Sequence, residues 1–310
     1  YVGDDVYLIT DSAVLGFGAD KDTTLTHTDG TGLTLNSTNK LCFGDAASYI
    51  HQSSDGVLRI DGEATVDINA SAAITLAAAN VPVTVGGIPF YYGDTGSIYT
   101  HNVSGTDDTA QYNTAYGLTA LDAITTGDNN TSVGHNAGGA MTTGGNNVII
   151  GKDAVGSGVM TGSFNVLIGK SAGTAMTSGA GVVAIGYNAG LANTTGPDNI
   201  FIGYDAGKVN TTGSANTVIG DQAYINADAE GNNLAIGKDA LGGTIAGAEQ
   251  NVMVGGYAGD AITSGDANCS VGYVSGSAIT TGASNTSVGT STLHNLTTGN
   301  YNVGIGNSIG

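Results

Sequence analysis

Residues 145–162 read "GNNVIIGKDAVGSGVMTG" and return as "GSFNVLIGKSAGTAMTSG" at 162–179 and "PDNIFIGYDAGKVNTTG" at 197–213. The glycine that follows a β-branched or aromatic residue serves as a marker for each copy. It falls at Gly117, Gly134, Gly151, Gly169, Gly186, Gly203, Gly220, Gly237, Gly255, Gly272, Gly289 and Gly306. Nine of the eleven spacings are 17 residues and two are 18, so the period is a structural unit rather than a loose bias. Four residues before the marker stands Asn, at Asn113, Asn130, Asn147, Asn165, Asn199, Asn216, Asn233, Asn251, Asn268, Asn285 and Asn302, with Val182 as the departure. Three residues after it stands Ala in the first nine copies, from Ala120 to Ala258. A second glycine closes each copy, usually as Thr-Thr-Gly or Thr-Ser-Gly, at Gly127, Gly144 and so on, through Gly231 and Gly247, to Gly299.

The unit therefore reads N-x-x-(I/V)-G-x-x-A-G, a loose segment, then T-T-G. Apolar residues one and three before the marker, such as Val148 with Ile150, share one face of a strand because side chains alternate. Two glycines per copy mark two places where the chain turns with φ > 0 or leaves no room for a Cβ. Asn tolerates the left-handed region and stacks its amide on the Asn of the next copy. Helix is excluded, since two glycines and several Thr and Asn in every copy cost several kcal/mol. A 17-residue period with two turns fits one coil of a narrow parallel β-solenoid, and twelve coils stacked at ~4.8 Å make a rod about 55–60 Å long.

A single rung offers its core little: two strand residues, one Ala, and an Ile or Met such as Ile124, Met141, Met176, Ile262 or Ile279. At about 1.5–3 kcal/mol per large buried side chain, this barely offsets the ordering entropy of the coil. A lateral neighbour is expected. Three identical chains side by side, burying a second face of small residues such as Ala and Gly, would supply it.

Composition narrows the function classes. The 310 residues contain 52 glycines, three prolines and no tryptophan, with seven Lys and Arg against 26 Asp and Glu. A formal charge of −19 repels phosphate backbones and anionic headgroups, so nucleic acid is not an expected partner. No apolar run approaches the ~18 residues of a membrane helix, so no membrane insertion is expected. The chain opens at Tyr1 rather than Met and carries no signal peptide, which suggests that residues are missing upstream. Cys42 and Cys269 lie far apart, without metal-ligand spacing, and read as small buried hydrophobes.

Residues 1–96 lack the period and read as an N-terminal β-rich stem of short alternating strands, with Val57 and Arg59, Val66 and Ile68, Ile74 and Leu76 as examples. Asp-Gly turns stand at Asp29-Gly30, Asp55-Gly56 and Asp61-Gly62. Pro82, Pro89 and Gly86-Gly87 mark a boundary, residues 97–112 form a connector, and 113–310 form the repeat solenoid.

The segment 13–70, ending "DGVLRIDGEATVDINA", resembles N-terminal and shaft segments of tail-fibre and other appendage proteins of marine tailed bacteriophages. The N-x-V-x-I-G-x-x-A-G rungs are similar to repeats in such fibres and to head repeats of YadA-like trimeric autotransporter adhesins. The resemblance implies an all-β homotrimeric fibre, with an interwoven or prism-like stem followed by left-handed parallel β-roll rungs. It also implies other virion proteins as partners, a host surface glycan or protein receptor as target, and an extracellular place on the virion.

Chemistry-bearing constellations are sparse. His27, His51, His101, His135 and His294 form no HxH or HxxxH pattern. Asp153, Asp205 and Asp239 share one register two residues after the marker, where a polysaccharide-cutting β-helix would carry carboxylates. Asn136, Ser171, Asn188 and Gln222 hold the same register in other copies, so a polar ladder explains it better. Acidic pairs at Asp4-Asp5, Asp20 with Asp22, and Asp107-Asp108 leave Ca²⁺ as the one open metal reading, without an EF-hand or β-roll calcium motif. Otherwise no cofactor and no enzymatic activity are expected. A structural virion fibre is the leading expectation, ahead of a bacterial surface adhesin or filament and a polysaccharide-degrading tailspike.

Overall fold

The computed structural model describes residues 97–100 and 109–310 throughout, together with the backbone of eight strands before them. Among the described residues there is no helix. The chain divides into two compact units, 1–76 and 77–310.

In the first unit, β1 (Val14–Phe17), β2 (Thr23–Thr28) and β3 (Gly32–Leu35) form an antiparallel three-stranded sheet. A second antiparallel sheet contains β4 (Leu41–Cys42), β5 (Tyr49–Ser54) and β6 (Val57–Asp61), with an irregularity between Gln52 and Ser54. The Asp29-Gly30 and Asp55-Gly56 pairs fall in sequence between consecutive antiparallel strands and lie outside the described residues. Val66, Ile68, Ile74, Leu76, Pro82, His101 and all three acidic pairs lie outside the described residues.

The second unit is one 15-stranded sheet. It begins with β7 (Val83–Val85), β8 (Ile88–Tyr92) and β9 (Ile98–Tyr99), joined antiparallel. From β9 onward every pairing is parallel, with one three-residue strand per copy from β10 (Thr114–Tyr116) to β21 (Val303–Ile305). The result is a parallel β-solenoid of about twelve coils.

Equivalent residues pair across every rung, Val148 with Val166 as well as Val183 with Ile200. The 18-residue copies keep this register because the extra residue is absorbed outside the strand. Between Gly151 and Gly169 it lies in the loose segment, where Val159 is exposed and Met160 regains its column by bridging to Met141. The other sides of the coil are tied as well. Thr177 N–H donates to Thr194 O at 2.9 Å, and Gly138 N–H to Ala154 O at 2.8 Å.

The core differs from the expectation in which strand residue it takes. The middle residue of each strand points in: Ile149, Leu167, Ala184, Phe201, Val218 and Met253 are 0 % exposed. The β-branched residues on either side, including Val166 with Ile168 and Ile200 with Ile202, stay half-buried on the outer face. The coil is too narrow to hold two large residues from one strand. It also draws in Ala120 to Ala258 and the column of Ile124, Met141, Met176, Ile262 and Ile279, all 0 % exposed. The Ala residues are thus internal and supply no lateral face. Size is matched locally, since Phe201 lies between Gly190 and Gly207, where an added Cβ would come within 2.7 and 2.1 Å of its ring.

Candidate functional site

The Asn residues singled out by the repeat form a ladder in two runs, Asn113 to Asn165 and Asn199 to Asn302, with Val182 between them. Asn130 Oδ1 accepts Asn147 N–H at 2.9 Å, and Asn147 Oδ1 accepts Asn165 N–H at 2.9 Å. The same link joins Asn199 to Asn216, Asn216 to Asn233, and so on through Asn233, Asn251, Asn268, Asn285 and Asn302. The side-chain amide of most of these Asn also spans its coil, as when Asn130 Nδ2 donates to Gly144 O at 2.9 Å and Asn268 Nδ2 to Gly282 O at 2.8 Å, whereas Asn251 Nδ2 donates to Asn233 Oδ1 of the preceding rung instead. Asn from Asn113 to Asn285 is therefore buried with its amide bonded, the state in which an internal polar group does not cost stability. At the break, Val182 N–H donates to Asn165 Oδ1 at 2.8 Å, but Val182 has no side-chain oxygen to accept from Asn199 N–H.

The two glycines of a copy serve different ends. Marker glycines have φ between +125° and +146°, and a Cβ at Gly203 would lie 2.3 Å from Gly220 O. The closing glycines need only the space: Gly265 has ordinary φ, yet a Cβ there would lie 2.2 Å from Gly282 O. Two closing assignments shift by one residue. Glu230 O and Ala248 O take the corner position, accepting from Asn216 Nδ2 and Asn233 Nδ2, so Gly231 and Gly247 lie beside the corner. The Glu230 carboxylate compensates, accepting N–H groups of Asp228, Ala229 and Gly247 at 3.1, 3.1 and 2.8 Å. Tyr224, fully buried in this copy, donates its hydroxyl to Glu230 O and accepts from Asn233 Nδ2; burial pushes its phenol well above the usual range.

Sequence reasoning missed three further left-handed positions per rung. The residue just before the ladder position has φ between +55° and +68° in every copy, from Tyr112 to Tyr301, whereas the ladder Asn themselves do not take up the left-handed region expected of them. The residue two after the marker has φ near +55° in every copy, from Thr119 to Ser308, whether Asn136, Asp153, Gln222 or Val274. The residue four after it does likewise, as Leu121, Val155 and Tyr224 or as Gly. The signal was present in the Asn and Asp two after the marker, residue types that bear this conformation at least cost.

Asp153, Asp205 and Asp239 lie in that same column, so the structure aligns them but does not bring them together: three and two rungs separate them, about 14 and 10 Å along the axis. Each is tied to a lysine: Asp153 to Lys152 at 3.1 Å, Asp205 to Lys208 at 3.1 Å and Asp239 to Lys238 at 3.2 Å. Asn136 and Asn188 donate to Asp153 and Asp205. The Asn136 bond, then the Lys152 bond, holds the Asp153 carboxyl below the ordinary range. His135 lies exposed 4.0 Å from Asp153, and His294 Nδ1 lies 2.6 Å from Ser291 O. Among the described residues no group of three His, Cys, Asp or Glu is placed to hold a metal.

Two surface features remain. The downstream corner, one residue after the marker, carries Lys152, Lys170, Tyr187, Tyr204 and Lys238; the tyrosines stack with centroids 5.3 Å apart and Lys170 lies 5.3 Å from the Tyr187 ring. Beside it runs the outer sheet face of Val, Ile and Thr, with Cys269 on it, partly exposed. No protein-family model, curated protein or solved structure matches the chain.

Proposed function

We propose that the chain is a structural rod of a tailed-bacteriophage virion, a tail fibre or similar external appendage that holds a host-contact surface away from the particle. The observation that carries this reading is the unbroken register from β10 to β21: every rung repeats its neighbour, and among the described residues no inserted loop builds a cleft. Continuous backbone ladders along the axis give stiffness, and tight corners leave little chain for proteases. The −19 charge keeps neighbouring fibres from bundling.

In this proposal the working form is a homotrimer with an interwoven N-terminal stem. Its partners are other virion proteins and a host glycan or protein receptor, and it performs no catalysis and needs no cofactor. The rung pattern shared with trimeric adhesins favours a bacterial surface adhesin as the second reading. Gold-labelled antibodies against the repeat region, viewed by electron microscopy on the source material, test both. Label on thin projections from phage particles supports the fibre; label along cell envelopes with bare particles overturns it in favour of the adhesin.

A further inference from the structure

Among the described residues nothing covers the outer sheet face from β10 to β21. Its two outward columns run from Thr114 and Tyr116 to Val303 and Ile305, and none of their positions is charged although the chain carries −19. Val, Ile, Leu, Thr and Cys fill them between Thr131 and Val303. Twelve rungs at ~4.8 Å and a face roughly 13 Å wide give about 750 Å² per copy, close to the area one partner contributes to a stable interface. An apolar strip of this size on a soluble rod marks a docking surface.

The edges of the face differ. All four cations of residues 109–310 (Lys152, Lys170, Lys208 and Lys238) lie at the downstream corner, within five residues after a marker glycine. There they pair with Asp153, Asp205, Asp221 and Asp239, and Asp122 and Asp260 are the further carboxylates of that edge, so its four lysines offset most but not all of its acid. The upstream corner, five and six residues before the marker, exposes Asp128, Asp198, Glu249 and Asp266 with no cation.

We propose that this face is covered by further copies of the same chain, running parallel and in register. The inference rests on the self-assembly part of the fibre reading and adds the face and the direction. Copies related by rotation about an axis along the rod set the upstream edge of one against the downstream edge of the next, acid against a lysine-bearing edge. Antiparallel copies set acid against acid, four carboxylates facing four, which costs affinity and favours the wrong partner least. The parallel arrangement also stacks each Val or Ile level against its own equivalent.

Cys269 reports the direction because it lies on the face and off centre, in the tenth of twelve rungs. With Cys42 replaced by Ser, the full chain is sized by native mass spectrometry and treated with a short bis-maleimide. Parallel copies give a Cys269-to-Cys269 covalent dimer. Antiparallel copies place Cys269 opposite the third rung, so Cys269 cross-links instead to a Val148→Cys position in the double-cysteine chain and not to itself; that result overturns the proposal. A monomeric mass at micromolar concentration overturns it too. Ile185→Asp with Ile219→Asp, on the same face, is expected to abolish the Cys269-to-Cys269 cross-link with unchanged circular dichroism, even where the stem keeps the chains together. An undiminished cross-link in that variant places the contact elsewhere and also refutes the inference. Parallel cross-links in a protein that labels cell envelopes would sink the virion reading and leave the packing standing.

Discussion

Substituting Gly203 by Ala tests why the repeat writes glycine at its marker. Two penalties coincide there. The backbone has φ +141°, a region essentially reserved for glycine and costing about 1–3 kcal/mol for any other residue. The new Cβ would also lie 2.3 Å from Gly220 O, a backbone atom of the next rung, and relieving that overlap costs about 1–3 kcal/mol more. Two other glycines separate the contributions. Gly265 has ordinary φ and a 2.2 Å clash with Gly282 O, so Gly265→Ala isolates the contact. Gly247 has φ +101° with nothing within 4 Å, so Gly247→Ala isolates the backbone conformation. The single losses should be about 1–3 kcal/mol each, and Gly203→Ala should approach their sum, roughly 2–6 kcal/mol. Because rungs touch only their neighbours, the loss should be local. Hydrogen exchange followed by mass spectrometry reads it as faster exchange in the strands Ile200–Ile202 and Thr217–Ile219, with distant rungs protected as before. Gly203→Ala no more harmful than Gly247→Ala would show that the close approach between rungs is relaxed at little cost, and an unperturbed Gly203→Ala would refute the corner assignment altogether.

Asn268→Ala removes the acceptor of Asn285 N–H at 3.0 Å and the donor to Gly282 O at 2.8 Å, both buried, and should cost about 2–4 kcal/mol by denaturant unfolding. Val274 has φ +57° in a half-buried position where other copies carry Asn or Asp, so Val274→Asn should stabilise by about 1 kcal/mol, read as a higher unfolding midpoint. The two perturbed aspartates should respond to acid with opposite sign. Asp153, lowered from 3.8 chiefly by Asn136 and Lys152, adds stability that is present above the ordinary carboxylate range and lost as pH falls through its folded value. Asp260, raised by burial, disfavours the fold when ionised, so Asp260→Asn should stabilise at pH 7 and lose its advantage once acid protonates the native carboxyl. Melting curves of Asp153→Asn and Asp260→Asn across pH 2–7 check the two signs.

Period, strand position and parallel stacking were legible because each follows from residues that recur at fixed spacing. The inward face was not. Apolar periodicity assigns the β-branched pair, such as Val183 and Ile185, to the interior. The residue between them changes from Ala115 to Ser132, Ile149, Phe201 and Gly304, which has no apolar signature of its own. Volume decides instead: a coil that admits one inward residue per strand selects the variable middle position, and neighbouring rungs adjust, as Gly190 and Gly207 do around Phe201. The corner at Glu230 was illegible for another reason. Its role depends on three backbone N–H groups and the Tyr224 hydroxyl meeting in space, which no spacing records.

The same geometry explains why the polar ladder runs inside while the apolar columns run outside. Inside a narrow coil, hydrophobic area is scarce, and the last rungs show the limit: Ser270, Ser275 and Ser287 fill the core and bond to one another, Ser287 Oγ with Ser270 Oγ at 2.7 Å and Ser275 Oγ with Ser287 Oγ at 2.9 Å. Such a core fixes register, because a one-rung slip strands buried donors, but contributes little burial. Stability must then come from area outside the coil, where a flat column of Val and Ile is available and only another body can cover it. A rung that makes its register internally and its burial externally has a clear experimental signature. In the Ile185→Asp, Ile219→Asp form, whose outer faces no longer pack, exchange protection should fall first in the serine-cored rungs after Cys269 and last around Phe201. If those end rungs stay as protected as the Phe201 region, the core alone is sufficient and the outer face is not needed for stability.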